Sequence, residues 1–146
     1  MAAGDEDIRR FESMAEQAKA VATESRPLLQ AIIQFPGLAW VKRWEPNEKK
    51  YYMVELSTQY VLRILGGKRE DYIGKTDFDV WDYDTAIHFY NNDEATRLGH
   101  RNATTLVEEP WESSRTGQKG TFVGYKWRFS VDGYDYIVGM GAEYLE

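Results

Sequence analysis

The chain has 146 residues, of which 42% are hydrophobic and 29% charged, and it carries a net charge of -6 at pH 7. That length suits one domain with a core of its own, and the composition is globular rather than disordered. The negative balance, with no basic patch to offset it, argues against a general nucleic-acid role, because phosphate binding needs a surplus of Lys and Arg on at least one face. Cysteine is absent, which excludes disulfides, thiolate metal ligands and cysteinyl adducts and suits a reducing compartment.

The opening residues MAAGDEDIRR put acidic groups ahead of any apolar run, so no secretory signal is expected. The apolar stretch around Leu28 to Phe35 falls far short of the roughly 20 residues that cross a bilayer, and a cytoplasmic location is expected. Between Asp5 and Ala22, the residues Ile8, Phe11, Met14 or Ala15, Ala18 and Val21 recur at helical spacing, with Asp5, Glu6 and Asp7 complementing the dipole at the start. This predicts an amphipathic helix whose stripe is too narrow for a fully buried core helix and suits one partner surface, such as a second copy of the chain. Thr23 to Pro27 breaks it, and a short helix over 28–35 precedes the stop at Pro36 and Gly37. The chain divides accordingly into 1–24, a flanking or dimerising helix, and 25–146, the main domain.

Within the domain, 38–44 and 50–54 are aromatic and branched and are separated by Glu45, Pro46, Asn47 and Glu48, which predicts a hairpin. Tyr60, Val61, Ile64 and Leu65 keep helical spacing behind a Ser57 N-cap, and Gly66 and Gly67 close that helix. Two helical pieces follow between Thr76 and Leu98, the second from about Asp84 through Ile87, Phe89 or Tyr90, Ala95 and Leu98. Strands are then predicted over 103–109, 119–131 and 134–144, with Asp132-Gly133 as a hairpin turn. The fold class is α+β, a five-stranded antiparallel sheet with helices between its second and third strands and an N-terminal amphipathic helix.

Ala39-Trp40-Val41-Lys42 with Tyr51-Tyr52-Met53-Val54, then Leu62-x-x-Leu65-Gly66 and Tyr72-Ile73-Gly74-Lys75-Thr76-Asp77-Phe78-Asp79, resemble the hairpin and signature of small-molecule-sensing PAS domains. The resemblance covers about Leu28 to Leu145. It implies a sensory module of signal transduction, without catalysis, that binds a small molecule or partner. It further implies an effector domain, whether kinase, cyclase or regulator, joined where Glu143 replaces the usual Asp. A ligand cavity between the inner sheet face and the helix before the third strand is implied near Trp40, Tyr52, Phe89, Tyr90, Val107, Trp127 and Met140, although ordinary core packing accounts for the same residues. Flavin photoreceptors of the family need a cysteine that this chain lacks. Haem-binding members use a histidine on the helix after Asp84, but the match puts Phe89 at that position and turns His88 away from the cavity, while His100 falls in a loop.

Lys42 shares a strand face with Trp40 and Trp44, so an inward ammonium requires a partner, either a carboxylate of the Asp77 to Asp79 turn or an anionic ligand. Asp77, Asp79, Asp82 and Asp84 read as caps and surface charges rather than a metal or acid/base site. An alternative to the sensor is a small pocketed α+β enzyme of the cone-shaped isomerase or dehydratase type, which needs a positioned His or Asp in its cavity. Another is a protein-interaction domain with a filled core.

Overall fold

The computed structural model describes residues 26–100 and 106–145, so the predicted helix of 1–24 lies outside the described residues. The chain divides into Met1–Ala31 and Ile32–Glu146, and the second unit holds the sheet and its helices.

Helix α1 (Arg26–Gln34) crosses that division, and it starts at Arg26 rather than after Pro27. Proline costs nothing in the first turn of a helix, where its missing N–H would have no intrahelical partner. Strands β1 (Leu38–Glu45) and β2 (Lys50–Leu56) form the expected hairpin. Helix α2 (Thr58–Tyr60) widens into a π-helical turn, Val61–Leu65, and the Ser57 hydroxyl caps it by accepting from the Tyr60 N–H at 3.2 Å. A 3-10 turn (Arg69–Asp71) and the short helix α3 (Asp77–Val80) follow. Helix α4 (Tyr83–Arg97) then leads to β3 (Val107–Glu112), β4 (Lys119–Val131) and β5 (Tyr134–Leu145).

All pairings are antiparallel, in the order β2-β1-β5-β4-β3. The third strand sits further along than its predicted 103–109, reaching Glu112 through Pro110. A proline lacks the ladder donor, but β3 is an edge strand and tolerates it. Between β4 and β5, Asp132 and Gly133 both adopt positive φ, 51° and 80°, the twist a two-residue hairpin requires.

Each face of the sheet carries a core. On the inner face Leu38, Trp40, Met53, Leu56, Tyr60, Trp81, Phe89, Trp111 and Phe122 pack together. On the outer face Ile32 joins Ala39, Val41, Tyr136 and Val138, with Trp127 and Met140 against them. Space over the inner face is made by glycine: a Cβ on Gly139 would lie 2.4 Å from the Trp40 ring, and one on Gly124 would lie 2.2 Å from the Met140 carbonyl oxygen. The indole of Trp40 therefore packs directly on Gly139 of β5, where any larger residue would displace it.

Candidate functional site

The hairpin register sets the inner face. Lys42 follows Trp40 onto the inner face by alternation along β1, and a bulge that leaves Val54 of β2 unpaired steps the register from Val41↔Glu55 to Lys42↔Met53. Lys42 is 3% exposed, and its Nζ donates to Asp77 Oδ2 at 2.5 Å and Asp93 Oδ2 at 2.8 Å. Asp77 at the start of α3 is thus the carboxylate partner expected from the 77–79 turn. It is a buried ion-pair member and not the surface charge or cap read for it, because the helix opens with its first residue turned toward the sheet. Its neighbours do cap: Asp79 accepts from the Thr76 N–H at 3.0 Å, and Asp82 from the Thr85 N–H at 3.3 Å.

The ion pair belongs to a longer chain of charges. Asp93, fully buried on α4, uses Oδ2 for Lys42 and Oδ1 for Lys126 at 2.7 Å, and Lys126 of β4 also donates to Glu109 Oε2 of β3 at 2.6 Å. Asn92 Nδ2 donates to the same Glu109 oxygen at 3.0 Å. Asp77, Lys42, Asp93, Lys126 and Glu109 therefore run as an alternating chain through α3, β1, α4, β4 and β3. Both ammonium groups lie 5.6 to 5.8 Å from the ring centroids of Trp40 and Phe89, close enough for the ring faces to favour cations.

Electrostatics keep the central members ionised. Burial alone would strip the proton from Lys42, but Asp77 and Asp93 outweigh it and hold the ammonium charged well above the usual lysine range. Burial likewise opposes ionisation of Asp93, and Lys126 with Lys42 overcomes that and holds its carboxyl below the usual range. At Asp77 burial, reinforced by Asp93, prevails over Lys42 and pushes the carboxyl up. Tyr60, packed beside them, is pushed up chiefly by burial and then by Asp77.

The cavity between helices and sheet is small. Trp40, Lys42, Tyr60, Asp77, Phe89 and Trp111 are among the residues that line it, and its volume is about 10 Å³, roughly the space of one water molecule. A flavin or haem is of the size that occupies pockets of roughly 300 to 1,000 Å³, and five buried charged side chains fill the place where one would sit. The interior of this chain does not fit such a group. His88 is exposed on the outside of α4 and His100 is also exposed, so neither faces the cavity. Among the described residues no His, Cys, Asp and Glu cluster is arranged for a metal ion.

Of the pocket residues read from the sequence, Trp40, Lys42 and Phe89 meet at this cavity. Val107 is buried on β3 in step with Glu109 and Trp111, but it lies off the cavity lining. Tyr90 instead lines a surface pocket beside Tyr51. Tyr52, Trp127 and Met140 are corrections. Tyr52 alternates with the inward Tyr51 and Met53, and its hydroxyl donates to Glu48 at the surface. Trp127 and Met140 lie in the outer core, since Lys126 and Gly139 hold the inward positions of β4 and β5. Asp93, Lys126 and Glu109 were missed.

No family model matches the chain, and no curated protein matches it. Solved structures do. The PAS domain of an HTR-like protein from Haloarcula marismortui aligns with a TM-score of 0.54 at 15% identity, covering 89% of this chain and 99% of that one. A LOV protein from Rhodobacter sphaeroides aligns with a TM-score of 0.59 at 14% identity, covering 83% of this chain and 67% of that one. The fold is the PAS fold. Among the described residues no helix is long and apolar enough to cross a membrane.

Proposed function

We propose that the chain is a sensory or regulatory PAS module, non-catalytic, that converts an input on its helical face into a change in its sheet and passes it to an effector domain or partner. The observation that carries this reading is the buried ionic chain from Asp77 to Glu109, which ties α3 and α4 to three strands. A charge shifted at one end alters the balance at the other, because interior ion pairs are weakly screened. The same observation disfavours the isomerase or dehydratase alternative: the interior carboxylates are held by ammonium groups, and the cavity of about 10 Å³ that Asp77 lines has no room for a substrate.

Amide hydrogen exchange on Asp77→Asn tests the reading. Faster exchange is expected in β3 and β4, at the far end of the ionic chain, as well as in α3. A change confined to α3 and its neighbours would overturn the relay.

A cytoplasmic homodimer belongs to the same proposal. The stripe of Ile8, Phe11, Ala18 and Val21 supports it, since leaving Phe11 in water forgoes roughly 1.5 to 3 kcal/mol of burial. Light scattering of the full chain against one starting at Ser25 is expected to show a dimer and a monomer, and equal masses would remove the helix as the dimer contact.

A further inference from the structure

With the interior filled, the input has to act from outside, and one surface pocket has the chemistry to receive it. It has a volume of about 230 Å³ and lies between the β1–β2 turn, α3 and the first half of α4. Tyr51, Phe78 and Tyr90 are its aromatic walls, with Ile87 beside them. Tyr51 is buried against Trp44 and Ile137 and forms the back wall, where it meets Tyr90 edge to face at 5.7 Å, while Phe78 tilts toward Tyr90 at 6.1 Å from the open side. Phe78 remains 43% exposed, although an aromatic of that size is normally covered.

Charge at the mouth is asymmetric. Glu48 accepts a hydrogen bond from Tyr52, and Asp77 at the floor is paired with Lys42. Lys49 and Lys50 also line the pocket, and neither ammonium has an ion-pair partner among the described residues. Lys49 occupies the turn with φ 55°, a conformation in which lysine is uncommon. Its backbone is pinned there from two sides: its N–H donates to the Glu45 carbonyl at 2.8 Å, and its carbonyl accepts from the Tyr90 hydroxyl at 3.0 Å. The turn thereby holds a cationic residue at the hydroxyl end of Tyr90.

We infer that this pocket binds a small planar aromatic carboxylate, its ring among Tyr51, Phe78 and Tyr90 and its anionic group on Lys49 and Lys50. The volume limits the ligand to one or two rings, below the size of the drug-like ligands that fill larger clefts. Its floor is Asp77, the first member of the ionic chain, so occupancy reaches the interior without entry into it. The inference rests on the sensory reading for its purpose, but binding is measured without any signal output, and the hydrogen-exchange test of the relay uses no ligand; either can fail alone.

The experiment titrates the full chain with indole-3-acetate, following backbone amide NMR shifts, with indole-3-acetamide and tryptamine as neutral and cationic probes of the same ring. Saturable shifts at Lys49, Phe78, Ile87 and Tyr90 are expected for indole-3-acetate, with a Kd below about 1 mM, and weaker binding of the two others. Phe78→Ala, at an exposed site that leaves the core intact, is expected to weaken all binding at least about fivefold. Lys49→Gln with Lys50→Gln is expected to bring the acetate down to the affinity of the acetamide and leave the acetamide unchanged. Absence of saturable shifts up to about 5 mM, shifts centred elsewhere, or tryptamine binding as tightly as the acetate would overturn the inference.

Discussion

Lys126→Met lowers the stability of the folded chain by about 3 to 5 kcal/mol, read as a fall in the urea midpoint at unchanged slope. Lys126 is 1% exposed, and its ammonium holds both Asp93 and Glu109. Methionine keeps the length and packing of the stem, so the loss reports the missing charge and not a cavity. Two buried carboxylates are then left with Lys42 and Asn92 as their remaining partners. Adding Glu109→Gln removes one of the uncompensated charges and restores part of the loss, a non-additivity that a double-mutant cycle measures directly. A single-variant cost under about 1 kcal/mol, or strict additivity, would show that the charges do not act as one chain.

Alkaline solution is expected to unfold the protein more steeply than acid. Lys42 and Tyr60 both hold their protons in the fold above their ordinary pKa values of 10.5 and 10.0. The unfolded chain gives up those protons as the pH passes 10 to 10.5, so their stabilisation is complete below that window and is lost above it. Each group contributes a slope of about 1.4 kcal/mol per pH unit, about 2.8 together, until the folded form also titrates. On the acid side the effects oppose. Asp93, held low, contributes stability above the unfolded carboxylate range that is lost as pH falls through its folded pKa, whereas Asp77, held high, contributes below that range and loses it as pH rises. Circular dichroism at fixed urea against pH checks the contrast, and an alkaline slope unchanged in Tyr60→Phe would contradict the assignment of Tyr60.

The order of elements was legible because its signals are local: turn residues at Asp132-Gly133, the Ser57 cap, and the 77–79 turn that follows Gly74, whose φ of 80° suits a chain reversal. Which face of each strand turns inward was not. Both faces of this sheet are covered, so aromatic residues alternate with other large residues instead of with polar ones, and Trp127 and Met140 were assigned to the wrong side. Besides Thr85, the buried positions on α4 are Ala86, Phe89, Asp93 and Thr96. Their 3-4-3 spacing is a helical stripe, but an acidic and a hydroxyl residue in it hide the stripe from any search for apolar periodicity. Asp93 could have been found by asking which polar residue keeps step with Phe89, and Lys126 by counting even steps from Phe122 through Gly124. Lys42 was legible from its own strand because Trp40 and Trp44 flank it at two-residue intervals.

The strand order has a consequence for synthesis. Strand β1 is hydrogen-bonded on one side to β2, which follows it at once, and on the other to β5, whose Gly141 pairs with Leu38 across nearly the whole domain. During translation the β1–β2 hairpin and the helices emerge first, while one edge of β1 stays open until the last strand has been made. An unpaired edge invites pairing with another chain, and closing so long a loop is slow because its entropy is lost before the contacts form. Nascent chains that stall before Tyr134 therefore present Trp40 and Val41 on an open strand, and only the fifth strand closes the sheet.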